Sequence, residues 1–143
     1  MQISNQAASN LVGTVLRSAS FEAFATALKA AGLLEALKNS GPFTVFAPTN
    51  EAFAGLDEGV LQDWLKPKSK PKLRAILRYH MLAGRMAGEE IIKSSSIKTL
   101  QGLSLTIRYK DGRMHVNNAI VIASDLSCGN GLLHVLDTVL IPR

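Results

Sequence analysis

The chain has 143 residues, of which 47% are hydrophobic and 19% charged, and its net charge at neutral pH is +5. This composition excludes a disordered polypeptide and favours one globular domain, residues 1–143, large enough to bury a core without disulfide bonds. The single cysteine, Cys128, excludes an internal disulfide and a metal site built from several cysteines.

Neither a membrane span nor a signal peptide is predicted from the sequence. No apolar run reaches the roughly 20 residues that cross a bilayer. The amino end lacks a basic segment followed by an apolar run. Two alternatives follow: a cytoplasmic protein, or an exported one whose signal is not part of this sequence.

Helices are predicted for the amino-terminal quarter. Between residues 12 and 37, apolar side chains recur at helical spacing, and Phe21, Phe24 and Leu28 fall on one face. Gly32 is predicted to end one helix, before a second, short one. We expect both phenylalanines to lie in the core rather than in a ligand site.

A strand followed directly by a helix is predicted next. Residues 43–47 are a short run of β-formers that stops at Pro48, which indicates a buried strand. After Pro48, either Thr49 or Asn50 can cap a helix over residues 50–56.

A basic segment without acidic residues follows. It supplies six of the 16 lysines and arginines: Lys66, Lys68, Lys70, Lys72, Arg74 and Arg78. Residues 66–72 are predicted to form an exposed connection, and residues 71–82 a helix that buries one apolar side. Clustered cations bind anionic polysaccharide, lipid headgroups or nucleic acid through salt-sensitive contacts, and a solvated loop is the simpler alternative. The absence of interleaved aromatic residues argues against specific nucleic-acid binding.

From residue 85 onward the pattern becomes that of strands. After one helical turn, strands are predicted over residues 97–100, 103–109, 113–116, 119–123 and 132–141. Asp111-Gly112 between two of them is a strong signal for a tight hairpin turn. The last strand is apolar on both faces and is expected to be central. Helices first and antiparallel strands later indicate an α+β fold.

Three stretches match the motifs of one protein family in order and spacing. They are Thr-Val-Phe-Ala-Pro-Thr-Asn-Glu-Ala-Phe at residues 44–53, Tyr79-His80, and Asn-Gly-Leu-Leu-His-Val-Leu-Asp-Thr-Val-Leu-Ile-Pro at residues 130–142. They resemble the first box, the Tyr-His motif and the second box of fasciclin domains, and the resemblance covers residues 12–142. It implies a fasciclin-like fold, with N-terminal helices packed on an antiparallel β wedge or sandwich of two sheets.

The resemblance also implies which positions of the two boxes hold the fold together. These are Thr44, Phe46, Pro48, Thr49, Asn50, Phe53, Asn130, Gly131, His134 and Asp137. Residue chemistry agrees for two of them. His134 is expected to be a core histidine bound to backbone or a buried hydroxyl, and Asp137 a carboxylate that accepts backbone N–H groups at a turn.

Fasciclin domains function in cell adhesion or matrix attachment, without catalysis. For this chain the resemblance implies a secreted or cell-surface monomer that binds a cell-surface or matrix protein, with anionic polysaccharide as the alternative partner. The implied contact residues are Tyr79, His80, Asp125 and Leu126. Neighbours on a helix diverge by about 100°, so we expect His80 to point inward and Tyr79 partly outward.

A hydrolase is the least favoured alternative. Its candidates are His80, His134 and Asp137, with Ser104, Ser127 or Thr49 as the nucleophile. The chain has no Gly-x-Ser-x-Gly elbow, and on one regular strand His134 and Asp137 point to opposite faces. The histidines also lack metal-ligand spacing, and no glycine-rich phosphate loop precedes a helix. We therefore expect no catalysis, metal or cofactor.

Overall fold

A computed structural model gives the fold, and it describes residues 15, 19–39, 42–128 and 131–141. In this part of the chain, helices come first and strands dominate later, which confirms the predicted α+β class. None of the described helices is long and apolar enough to cross a membrane.

Two helices separated by a glycine come first. A 3₁₀ turn over Ala19–Phe21 leads into α1, Glu22–Ala31, and α2 follows over Leu34–Asn39. Gly32 has a φ of 73°, and its N–H donates to the carbonyl of Lys29 at 3.1 Å. Glycine adopts this left-handed conformation at little cost, so α1 ends where predicted.

The junction from strand to helix forms as predicted. β1, Phe43–Pro48, ends one residue before α3, Asn50–Ala54. Thr49 between them is the cap, since its Oγ1 accepts the N–H of Ala52 at 3.2 Å. This bond satisfies a donor that the helix itself leaves unpaired. A further short helix, α4, spans Val60–Trp64.

Residues 66–72 are largely exposed, as predicted, but most of them are helical rather than an irregular connection. A 3₁₀ turn over Pro67–Ser69 runs into α5, Lys70–Arg78. Pro67 and Pro71 both lie in the first turn of a helix, where the N–H that proline lacks would have no partner. The prolines therefore do not interrupt the helical path.

α5 ends before the predicted boundary at residue 82. Met81–Ala83 form β2, which pairs antiparallel with β1 and places Met81 opposite Val45. The apolar pattern of the helix continues through this strand, so periodicity alone does not separate the two elements.

The remaining elements lie in the carboxy-terminal half. They are α6, Gly88–Ile91; β3, Ser96–Lys98; β4, Ser104–Lys110; β5, Arg113–Val116; β6, Ala119–Cys128; and β7, Gly131–Leu136. The predicted hairpin joins β4 to β5, where Asp111 and Gly112 have φ angles of 56° and 77°. β6 runs past the predicted end at residue 123, and β7 stops at Leu136 rather than at residue 141.

The seven strands form one hydrogen-bonded sheet in the order β2-β1-β7-β6-β5-β4-β3. β1 and β7 are parallel, and the other neighbours are antiparallel. The predicted arrangement of two antiparallel sheets is corrected in this detail, because β7 turns back from β6 and then runs alongside β1 in the same direction. β7 lies inside the sheet, as its two apolar faces predicted.

The sheet curls until its two edges approach each other. The N–H of Leu100, which follows β3, donates to the carbonyl of Met81 in β2 at 2.9 Å. One core, which includes Phe46, lies inside the curl, and a second, which includes Val45, lies under the helices. Successive side chains of β1 alternate between the two cores, so both faces of this strand are buried.

Candidate functional site

Tyr79, predicted to point partly outward, is buried. Its side chain is 5% exposed and lies in the core inside the curled sheet. The phenolic oxygen accepts a hydrogen bond from Asn117 Nδ2 at 2.9 Å and lies 3.4 Å from the carbonyl oxygen of Ser104. The prediction is wrong because it allowed the helix only one buried face. Leu73 and Ile76 of α5 pack in the core under the helices, whereas Tyr79 packs in the core inside the curled sheet.

His80 is fully buried, as the apolar stripe of α5 predicted. Its Nε2 accepts the N–H of Leu140 at 2.9 Å, and its Nδ1 lies 2.9 Å from the carbonyl oxygen of Ile76. Because the Leu140 N–H can only donate, the ring proton lies on Nδ1 and is donated to Ile76. Burial lowers the pKa of His80 to about 4, so the ring is neutral at physiological pH.

His134 is buried against Phe46, with ring centroids 5.6 Å apart. Its Nδ1 accepts the N–H of Asp125 at 3.1 Å, and its Nε2 donates to the carbonyl of Met86 at 2.9 Å. Burial lowers the pKa of His134, while the bond to Met86 and the charge of Asp125 oppose that shift. The ring thereby links β6 and β7 to the segment that leads into α6.

Three further positions of the second box were predicted to be structural: Asp137, Gly131 and Asn130. The Asp137 carboxylate accepts the N–H of Ile120 at 2.8 Å and the hydroxyl of Thr138 at 3.0 Å. Gly131 is buried at the start of β7, and Asn130 lies outside the described residues. Asp137 thus fastens the end of β7 to β6.

The described contacts do not bring together the residues of a hydrolase. Both ring nitrogens of His80 and of His134 are bound to backbone groups. Thr49 is buried as a helix cap. For Ser127 and Cys128 the structure describes the backbone but not the side chains. Within the described part, no cluster of three His, Cys, Asp or Glu side chains is placed to hold a metal ion.

Predicted structural positions of the first box are buried or bind backbone. The Thr44 hydroxyl donates to the carbonyl of Gly84 at 2.6 Å and accepts the N–H of Met86 at 2.8 Å. It therefore fixes the turn after β2. Four further positions are buried: Phe46, Pro48, Thr49 and Phe53.

Asn50 fastens the start of α1. Its Oδ1 accepts the N–H of Ala23 at 3.0 Å, and its Nδ2 donates to the carbonyl of Ala19 at 2.7 Å. The sequence offers Asn50 as a cap for the helix that follows it. The structure instead places it on a helix whose first turn lies 27 residues earlier in the chain.

Asp125 is exposed at a bulge in β6. The pairing of β6 with β7 shifts register on both sides of Ala123, and Asp125 has a φ of 60°. Its Oδ1 accepts the N–H of Gly88, the first residue of α6, at 2.8 Å. Leu126, the next residue, is 40% exposed. Of the four predicted contact residues, these two are the ones at the surface.

A groove of about 580 Å³ opens beside Asp125, between α6 and parts of β4, β5 and β6. Three of the large hydrophobic side chains that are exposed in the described part of the chain line it: Ile92 at 37%, Tyr109 at 59% and Ile122 at 55%. Two carboxylates, those of Glu89 and Asp125, and one cation, Arg113, also line it. We call this surface the Asp125 groove.

Sequence reasoning missed the apolar residues of this groove. In the predicted strand over residues 103–109, Leu105, Ile107 and Tyr109 alternate with polar residues, the pattern of a half-buried strand. Leu105 and Ile107 are buried, but Tyr109, near the end of β4, is exposed. Ile122 lies beside the first register shift of β6, and no local pattern in the sequence signals that shift. The available signal for a binding surface was an aromatic residue, Tyr109, close to the predicted hairpin turn at Asp111-Gly112.

The predicted basic patch divides into two parts. Three residues, spaced by four along α5, line one groove: Lys70, Arg74 and Arg78. The other three are exposed outside that groove: Lys66, Lys68 and Lys72. The residues around Asp125 and those on α5 therefore belong to different surfaces.

A family model for the Fasciclin domain matches residues 19–142. The chain belongs to the fasciclin domain family. Protein sll1483 of Synechocystis sp. is 41% identical over 141 residues, which are 99% of this chain and 78% of that protein. Periostin of Homo sapiens is 37% identical, and the match covers 83% of this fasciclin domain but 14% of periostin. Immunogenic protein MPB70 of Mycobacterium bovis is 38% identical over 73% of this chain and 52% of its own length.

A solved structure has a similar fold. It is a FAS1 domain pair from Fasciclin I, described as an insect cell adhesion molecule. The TM-score is 0.83, and the match covers 94% of this chain and 51% of that one, at 18% sequence identity. This similarity confirms the predicted fasciclin-like fold.

Proposed function

We propose that this fasciclin domain is a non-catalytic attachment module, secreted or displayed on a cell surface, that binds a cell-surface or matrix protein through the Asp125 groove. The observation that carries the proposal is the cluster of exposed Ile92, Tyr109 and Ile122 around a fixed carboxylate. Protein partners bury exposed apolar and aromatic side chains of this kind, and nearby charges orient the partner.

Two further observations support an attachment role. The fold is shared with Fasciclin I, a cell adhesion molecule. The histidines that a hydrolase would use are instead buried and bound to backbone. Polar groups committed in this way stabilise a scaffold on which a binding surface is carried.

In this proposal Tyr79 and His80 stabilise the fold and do not contact the partner. Both are buried, so a partner in the groove meets Asp125 rather than the Tyr-His pair. The pair instead anchors the chain between α5 and β2.

The proposal is tested by attachment of cells and of matrix proteins to the immobilised domain. The variant Tyr109→Ser with Ile122→Ser removes two exposed anchors, and we expect binding to weaken about tenfold or more. The matched control, Leu103→Ser with Ile141→Ser, changes two equally apolar side chains, each 40% exposed, on another part of the surface. Equal losses in the two variants would contradict the proposal. Light scattering of the same samples tests the predicted monomer.

A further inference from the structure

The groove on α5 has a row of cations along its wall. It has a volume of about 500 Å³ and is lined by Lys70, Arg74, Arg78, Leu100 and Gln101, among others, and no acidic residue is among the described residues that line it. Positions four apart on a helix advance by about 6 Å and stay on one side. The three cations therefore form a row of about 12 Å. We call this surface the α5 groove.

Arg74, in the middle of the row, is held in place by the fold. Its Nε donates to the carbonyl of Ala31 at 3.1 Å, at the carboxyl end of α1, where a cation is favourable. A Cβ added at Gly32 would lie 3.3 Å from Arg74 Nη2, so the guanidinium packs closely on the end of that helix. Nε is one of five N–H donors, and the others are on the two Nη atoms.

The opposite wall is also fixed and carries neutral groups. Gln101 Oε1 accepts the N–H of Leu103 at 3.2 Å, which leaves the NH₂ end of that amide as the donor for a ligand. Leu100 is 40% exposed, and its backbone is tied to Met81 at the seam of the curled sheet. The groove thus combines a row of cations, an amide donor and an apolar side chain.

We propose that the α5 groove binds an extended polysaccharide that carries carboxylate or sulfate groups along its length. A row of cations suits a chain of anions better than a single anion. The Gln101 amide suits sugar hydroxyls, and Leu100 suits the apolar face of a sugar ring. The described lining contains no aromatic side chain on which nucleic-acid bases would stack. This site is separate from the Asp125 groove and does not depend on the proposed protein partner.

The test measures the affinity of the whole chain for two defined probes, a heparin oligosaccharide and a polygalacturonate oligomer, by calorimetry over a salt series. The variant Lys70→Gln with Arg78→Gln is compared with Lys68→Gln with Lys72→Gln, which removes the same charge from the same segment outside the groove. Arg74 stays unchanged because it stabilises α1. We expect the first variant to weaken binding about tenfold or more and the second less than about twofold.

A second variant distinguishes binding at a specific site from general electrostatic attraction to the basic segment. Gln101→Ala leaves the charge unchanged, so we expect it to weaken binding even at high salt, where charge interactions are screened. Three results would overturn the proposal. They are equal losses of affinity in the two charge-removing double variants, no binding to either oligosaccharide, or tighter binding to single-stranded DNA or anionic vesicles than to the oligosaccharides. The Tyr109→Ser, Ile122→Ser variant should bind both oligosaccharides normally, which keeps this test distinct from that of protein attachment.

Discussion

The backbone N–H of Asp125 donates to Nδ1 of His134 at 3.1 Å, and this bond joins an exposed carboxylate to a buried ring. On its other side the ring donates to Met86, and the Asp125 carboxylate accepts the N–H of Gly88. These three bonds tie the bulge in β6 to the start of α6. The shape of the Asp125 groove therefore depends on a histidine that lies in the core.

Replacing His134 by alanine should destabilise the whole domain. The change leaves Asp125 N–H and the Met86 carbonyl without their partner and opens a cavity beside Phe46, so we expect a loss of about 3 kcal/mol in the free energy of unfolding. Urea denaturation measures it. His115→Ala, at a half-buried histidine of β5, is the control, with an expected loss below about 1 kcal/mol. Similar losses at the two positions would show that the hydrogen bonds of His134 to Asp125 and Met86 add little to stability.

The buried His80 should make the domain less stable in acid. Burial lowers its pKa from 6.5 to about 4 in the folded chain. As the pH falls, the unfolded chain therefore takes up a proton first. The contribution of neutral His80 to the free energy of unfolding is complete above about pH 6.5. It is lost as the pH falls from about 6.5 to about 4, and the loss reaches roughly 3 kcal/mol. The pKa of His134 is also lowered by burial, so that residue acts in the same direction.

Urea denaturation across this pH range measures the effect. His80→Asn keeps a donor for Ile76 but does not titrate, so the variant should start less stable and lose less on acidification. The difference in unfolding free energy between wild type and variant should therefore shrink from pH 6.5 to 4. A difference that stays constant would mean that His80 does not cause the acid sensitivity.

Asn50 should contribute to stability through α1 rather than α3. Asn50→Ala removes bonds to Ala23 and Ala19, and we expect a loss of about 2 kcal/mol in the free energy of unfolding. Asn50→Asp keeps the acceptor for the Ala23 N–H and loses only the donor, so its loss should be about half as large. Thermal and urea unfolding give both values. The assignment fails if the aspartate variant is as unstable as the alanine variant.

Local chemistry predicted the elements whose ends depend on one or two residues. Gly32 ended α1, Thr49 capped α3, and Asp111-Gly112 closed the hairpin, because each conformation is set by neighbouring backbone atoms. The match of the two boxes and the Tyr-His motif predicted the family. Those features needed no knowledge of distant contacts.

Distant contacts determined what the sequence did not predict. β2 became a strand because β1 was available to pair with it, although its residues continue the apolar pattern of α5. Tyr79 was buried because a second core exists inside the curled sheet. The bulge at Asp125 arises from the mismatch between β6 and β7, and it positions Ile122 and the carboxylate of the candidate groove.

One comparison tests the central claim, that the Asp125 groove and not the Tyr-His pair contacts the partner. Attachment of cells and matrix proteins is measured for Tyr109→Ser with Ile122→Ser and for Tyr79→Phe, after thermal unfolding shows that both variants are folded. Tyr79→Phe removes only the hydroxyl that binds Asn117 inside the core. We predict that the groove variant loses attachment and that Tyr79→Phe keeps it. Loss of attachment by Tyr79→Phe, with full attachment by the groove variant, would contradict the account.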